Sequence, residues 1–173
     1  MALTPLHVLT ACSRPAYLPA IAQCLASARQ FGIDVHWHIG LDLEKNHPGG
    51  QAVKNALLDR IADGWVWICD DDNLPHPRFF ATLAGLDGQA SGYLFAQNRG
   101  PGGFLRAQPP VVDRIDAAQA IVARWAIGDM RLPAEYTGDG QWLAALHAAH
   151  PLTCIDTIVT YYNASTWNAP VVF

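Results

Sequence analysis

The sequence predicts one α/β domain, a three-layer α/β/α sandwich whose central sheet is mainly parallel. Short apolar, β-branched or aromatic runs alternate with segments whose apolar residues recur at helical spacing, the rhythm of parallel sheets covered by helices on both faces. The 173 residues are 51% hydrophobic and 15% charged, which suits one domain with a sizeable core. No repeat, linker or low-complexity stretch divides the chain, so the domain is taken to span 1–173.

The elements follow in order. HVLTAC (His7–Cys12) is an apolar strand stopped by Ser13-Arg14-Pro15, and Leu18, Ile21, Ala22 and Leu25 then recur at helical spacing. VHWHIGL (Val35–Leu41) alternates as a strand does, and after the breaker pair Gly49-Gly50 a second helix aligns Val53, Leu57 and Ile61. WVWIC (Trp65–Cys69) is the third strand, and Pro75 and Pro77 lead into a helix with Phe79, Phe80 and Leu83. The second half is less regular. Tyr93–Ala96 reads as a strand, NRGPGGFLRAQPP (Asn98–Pro110) as a Gly/Pro-rich loop, and Ala117–Ala123 as a further strand. Gly138–His150 turns helical with Trp142, Leu143 and Leu146 inward, and IDTIVTYY (Ile155–Tyr162) closes the sheet.

Composition also excludes functions. The formal net charge is −4 with few clustered Lys or Arg, so there is no footprint for nucleic acid or an anionic membrane surface. Cys12, Cys24, Cys69 and Cys154 are scattered without C-x-x-C spacing, which points to reduced thiols rather than disulfides or a zinc site. MALTPLHVLTACSRP lacks the pattern of a signal peptide, and no run approaches the roughly 20 apolar residues that span a bilayer. A cytoplasmic protein is expected.

Asp70-Asp71-Asp72 follow the third strand directly, where adjacent carboxylates repel one another and resist desolvation. They need water, a cation or a proton. Ligands of parallel sheets gather at the carboxyl ends of strands, and Ser13-Arg14, Asp42 and the three aspartates all fall along that edge. In an extended chain Asp70 and Asp72 address one ligand while Asp71 faces elsewhere. The alternative is a set of capping acids before the next helix.

HVLTACSRP at the first strand end, CDDDNLPHP near the middle and YTGDGQWLAAL opening a late helix together resemble the nucleotide-sugar-dependent glycosyltransferases of the Rossmann-like GT-A fold. The inverting glycosyltransferase family two is the nearest match, and it is similar over about the whole chain in order of elements. The resemblance implies a UDP-sugar donor, an unknown acceptor, and transfer by direct displacement. It assigns about 1–97 to nucleotide binding and about 98–173 to the acceptor and catalysis.

By that resemblance Asp72 holds Mg2+ or Mn2+, and Asp70 shares the metal's water shell or meets the ribose, with Asp71 counted beside it at the nucleotide. A divalent cation there neutralises the departing diphosphate. Asp139, in Tyr136-Thr137-Gly138-Asp139-Gly140, matches the acid that takes the acceptor's proton; the family more often has two adjacent acids there. Its plain reading is a helix N-cap. Thr10, Ala11, Ser13 and Arg14 match the strand end that holds base and ribose, Asp42 the acid that meets the nucleobase, and Lys54-Asn55 a basic residue and Asn near the nucleotide. Gly40-Leu41-Asp42 departs from the family's two acids and a glycine. Lys54 reads equally as a solvated helix face.

Other residues are weighed more plainly. His36 with His38, and His147 with His150, share faces but lack a carboxylate partner at metal-ligand spacing, although His150 matches a histidine that some relatives add to the metal. Trp65, Trp67 and Trp125 are expected in the core, and Trp142 beside Asp139 has the option of stacking on a sugar. Arg99 or Arg106 in the loop is placed to meet phosphate. A homo-oligomer is expected as an option because the chain is short for the family. Two rival readings stay open, a nucleotidyltransferase, which usually shows a glycine-rich basic loop after the first strand, and a non-catalytic nucleotide- or sugar-binding subunit of a larger assembly.

Overall fold

The structure, a computed structural model, describes residues 3–43 and 50–164; Gly49 of the expected breaker pair lies outside them. The first half comprises β1 (Leu6–Cys12), α1 (Leu18–Ala26), β2 (Val35–Leu41), α2 (Gln51–Leu58), β3 (Trp65–Ile68), β4 (Leu74–Pro75) and α3 (Phe79–Ala84). The second comprises β5 (Gly92–Asn98), β6 (Phe104–Leu105), β7 (Ala120–Ala123), α4 (Arg124–Ile127), α5 (Gly138–Ala149) and β8 (Thr153–Tyr161). The sheet runs β2-β1-β3-β7-β5-β8-β4, with β6 on β5.

Burial explains the centre of this order. All of β1 is buried, as a strand covered on both faces must be. Ala11 is the register partner of Gly40, and a Cβ on Gly40 would meet Val53 of α2 at 2.3 Å, so α2 covers that face closely. Val8 is the partner of Trp67 on the other face, where Trp67 stacks on Phe79 of α3 with ring centroids 4.3 Å apart.

The sheet is mainly parallel: β1, β2, β3, β5 and β8 share one direction, and the shorter β4, β6 and β7 oppose it. The reversal of β7 has a simple cause. Between β5 and β7 the chain forms a loop with 3-10 turns and no crossover helix, and parallel neighbours need such a crossover whereas antiparallel ones do not. The stretch read as one strand from Ala117 divides into a 3-10 turn at Ala117–Gln119 and β7.

At the carboxyl edge one carboxylate ties β1 to β3. Asp71, 2% exposed in its side chain, accepts from the Ser13 and Arg14 backbone N–H groups at 2.7 and 2.6 Å and from the Arg14 guanidinium at 3.1 and 2.5 Å. Burial pushes its pKa up, but these donors outweigh burial and hold it below the ordinary carboxylate value. Asp71→Asn is expected to cost about 1.5–3 kcal/mol of stability, the range for hydrogen bonds to a charged group; an unchanged midpoint in urea unfolding would mean the clamp is dispensable.

The opposite edge of β1 and β2 gathers His7, His36 and His38. His7 is 9% exposed, its Nδ1 lies 3.0 Å from His38 Nε2, and its buried Nε2 has no hydrogen-bond partner. Asp34 sits 2.9 Å from His36. Burial first, then the neighbouring charges, holds His7 and His38 below the ordinary histidine value. A histidine with a depressed folded pKa gives stability that is present above its unfolded value, about 6.5, and is lost as pH falls through it. Between pH 7.5 and 5 the wild type should therefore lose more stability in urea than a His7→Gln/His38→Gln variant; parallel profiles would contradict this.

Candidate active site

The carboxyl ends of β3, β5 and β8, α2 and the start of α5 enclose a cavity of about 310 Å³ whose walls include Lys54, Asp70, Asp72, Asp116, Tyr136 and Asp139. The edge predicted from the strand ends is thus where the acids converge.

Lys54 is its electrostatic centre. It lies on the inward face of α2 with Gln51, Leu57 and Leu58, and its side chain is 0% exposed. A buried ammonium persists only where it is paired. Its Nζ donates to Asp70 Oδ2 at 3.0 Å and lies 3.6 Å from Asp139 Oδ1. Burial disfavours the charge, but Asp70 and Asp139 outweigh it and raise the lysine's pKa. The solvated-face reading of Lys54 is thereby corrected.

The acids around it outnumber it. Burial pushes Asp70 up to about 7, with Asp139 and Asp116 adding to the rise and Lys54 opposing it. Asp116 is pushed up to about 6, first by burial and then by Asp139. Asp70 Oδ1 and Asp139 Oδ1 are buried and accept no hydrogen bond. Sequence reasoning missed Asp116, which caps the turn at Ala117–Gln119 in a reciprocal capping box with Gln119 and accepts from Gln97 Nε2 at 3.1 Å. The signal was Asp116-x-x-Gln119, the spacing of such a box. Arg114 and the 89% exposed Tyr136 also border the cavity unforeseen.

Several expected nucleotide contacts serve the scaffold. Thr10 is fully buried; its hydroxyl donates to the Cys69 carbonyl at 2.8 Å and accepts from Trp37 Nε1 at 2.9 Å. Ala11 packs under Gly50, where an added Cβ would stand 2.6 Å from the Ala11 Cβ. Asn55 exchanges hydrogen bonds of 2.9 Å with both the carbonyl and the N–H of Leu132, and so pins the loop leading to α5 rather than facing a ligand. Asp71 belongs to the clamp beneath Ser13 and Arg14. Asp42 follows β2, its N–H donating to the Cys12 carbonyl at 2.9 Å.

Asp72 is 15% exposed in its side chain and lies 2.6 Å from the Arg14 guanidinium. Arg99 lies over the Tyr162 ring at 4.1 Å and borders the cavity, whereas Arg106 faces Asp156 at 3.1 Å on the surface. Trp65, Trp67 and Trp142 are buried, but Trp125 is 65% exposed, set edge-on to His150. His150 ends α5, about 16 Å along the helix from Asp139, too far to join a metal there.

Asp139 is placed by backbone packing. A Cβ on Gly138 would stand 2.2 Å from the Pro133 carbonyl oxygen, and one on Gly140 2.2 Å from that of Val112. Neither neighbour of Asp139 in the sequence has room for a side chain.

For a metal, no group of three His, Cys, Asp or Glu among the described residues forms a cage. The unpartnered Asp70 oxygen still fits a hard cation, because Mg2+ is commonly held by one or two carboxylates with phosphate and water completing its shell. Asp72 shares its charge with Arg14.

No family model and no curated protein matches the sequence. In three dimensions the chain is similar to TarS 1-349 of S. aureus, with a TM-score of 0.69 and 12% identity, covering 92% of this chain and 60% of that one. The same protein in complex with UDP gives a TM-score of 0.70 at 12% identity, covering 91% and 60%. The catalytic domain of Drosophila beta1,4galactosyltransferase 7 gives 0.58 at 14% identity, covering 86% and 63%. A glycosyltransferase involved in glycosylation of the major capsid of PBCV-1 gives 0.53 at 8% identity, covering 94% of both chains. This chain thus spans about three fifths of the length of the TarS fragment. With its central sheet, its helical layers and its site at the carboxyl edge, it has the GT-A fold of nucleotide-sugar glycosyltransferases.

Proposed function

We propose that this chain is the catalytic domain of a glycosyltransferase that moves a sugar from a UDP-linked donor to an acceptor hydroxyl, with inversion. The observation that carries the reading is the meeting of strand-end acids and a helix-start acid in one cavity: Asp70, Asp72 and Asp139 all line it. TarS has been captured with UDP and with UDP-GlcNAc, which supports UDP as the nucleotide to test first.

In this reading Asp139 accepts the proton of the acceptor hydroxyl. The hydroxyl oxygen forms its bond to the anomeric carbon as the bond to the diphosphate breaks on the opposite face, and the nucleoside diphosphate leaves. Asp139 keeps 18% of its side chain exposed on the cavity wall, as a base that must meet its donor requires. Asp70, assisted by Asp72, would hold a divalent cation, Mn2+ or Mg2+, and that cation would supply charge neutralisation for the departing diphosphate. Arg99 and Arg114 border the same cavity and are suited to phosphate or an anionic acceptor.

The second reading is a nucleotide-binding subunit without catalysis. It is favoured by the Arg14 contact that already engages Asp72.

Calorimetric titration with UDP and GDP, each with and without Mn2+, tests the donor site. Metal-dependent UDP binding is expected in the wild type and lost in Asp72→Asn, with the fold intact; undiminished binding in that variant would remove Asp72 from the site. Asp139→Asn is expected to keep UDP binding and to lower turnover about 10²–10⁴-fold, and normal turnover would remove it as the base. Binding without any donor cleavage or transfer in the wild type would favour the non-catalytic reading.

Gly138→Ala should destabilise the protein by about 1–3 kcal/mol, the usual cost of overpacking. Gly85→Ala is the control, because its added Cβ would meet nothing nearer than 3.5 Å. Equal melting temperatures for the two variants would show that the start of α5 has slack.

A further inference from the structure

We propose that Lys54 is a positioning residue for the base: it bridges Asp70 on the donor side to Asp139 and holds that carboxylate aimed, a role that rests on the glycosyltransferase reading above. Three observations converge on it. The first is position. The Lys54 side chain is 0% exposed in the wall of the cavity, and its ammonium is already engaged by the two acids on either side of it.

The second is the scarcity of alternatives. Among the described residues Lys54 is the cation recorded within 4 Å of Asp139, and the Asp139 oxygen facing it accepts no hydrogen bond. The neighbouring amide of Gln141 is occupied elsewhere, donating to Glu135 at 2.8 Å and Thr137 at 3.0 Å. An ammonium has three donors and tolerates several acceptors at different angles, which suits one lysine serving two carboxylates.

The third is the strip of α2 around it. Gln51, Lys54 and Asn55 are three and four residues apart, so they share a helix face. Gln51 donates to the Glu135 carbonyl at 3.3 Å, and Asn55 holds Leu132 through two bonds of 2.9 Å. The strip thus grips the segment that delivers Asp139, with the charged residue placed at the base itself. Removing the ammonium leaves the grip of its neighbours on the segment but takes away the cation that faces the carboxylate, so the Asp139 side chain loses its aim.

The test compares wild type, Lys54→Met, Lys54→Arg and Asp139→Asn for Mn2+-dependent UDP affinity and for turnover of UDP-GlcNAc, UDP-glucose and UDP-galactose across pH. Expected for Lys54→Met is a fall in kcat of about 100-fold or more that exceeds any fall in UDP affinity. Lys54→Arg, which restores the charge, should recover part of the rate. If Lys54→Met does not fold, Lys54→Gln, which keeps a hydrogen-bond donor without the charge, takes its place. A wild-type kcat would overturn the role, as would a loss confined to UDP affinity, which would make Lys54 a donor contact. A wild type that cleaves or transfers none of these sugars, or an Asp139→Asn variant as active as wild type, would instead overturn the functional reading and the lysine's role with it.

Discussion

Three consecutive carboxylates at the end of a buried strand are the constraint on which the working edge of this molecule depends. Unit charges about 4 Å apart interact by about 4 kcal/mol near a protein surface, so adjacent unpaired aspartates would strain the end of β3. The fold answers with cations from two other elements. Lys54 of α2 pairs with Asp70, and Arg14, just after β1, pairs with both Asp71 and Asp72. Each pairing also joins elements: the Asp71 clamp sets the loop after β1 against the end of β3, and Lys54 draws α2 over the same strand end.

The constraint extends to the second half of the chain through α2. Asn55 and Gln51 fasten the segment before α5, and the close backbone approaches at Gly138 and Gly140 leave the start of α5 little freedom. Asp139 consequently arrives beside Asp70 with Lys54 shared between them. A glycine at 138 is therefore a packing requirement of this chain, and a single acid is sufficient to supply a base.

Much of this was legible in the sequence because it rested on local patterns. The apolar runs at His7–Cys12 and Trp65–Cys69 fall on buried strands and the alternation at Val35–Leu41 on a partly exposed edge strand, so the strands, the helices spaced behind them and the carboxyl edge followed from local pattern. The direction of β7 was harder to read, since it turns on what the preceding loop lacks. Side-chain roles were the least legible. Polarity at Thr10 and Asn55 is as suitable for a nucleotide as for the Cys69 carbonyl or the Leu132 backbone, and only tertiary packing decides between them. Asp116 joins the site through residues far along the chain, and Lys54 shows no sequence mark of complete burial.

The surplus of acid at the cavity bears on how an anionic donor enters. Lys54 and Arg14 are engaged by aspartates, and the acids on the cavity wall, Asp70, Asp72, Asp113, Asp116 and Asp139, outnumber its Lys54, Arg99 and Arg114. Burial first, and neighbouring acids after it, raise Asp70 to about 7 and Asp116 to about 6. An unpartnered carboxylate oxygen answers equally well to a proton or to a hard cation. In the proposed reaction a diphosphate approaching these acids alone would meet repulsion, and one arriving with a divalent cation would relieve it. On that account a divalent cation on Asp70 would offset these acids as well as the leaving group, and the excess of carboxylates over nearby lysine and arginine is the physical argument behind proposing a metal-bound donor.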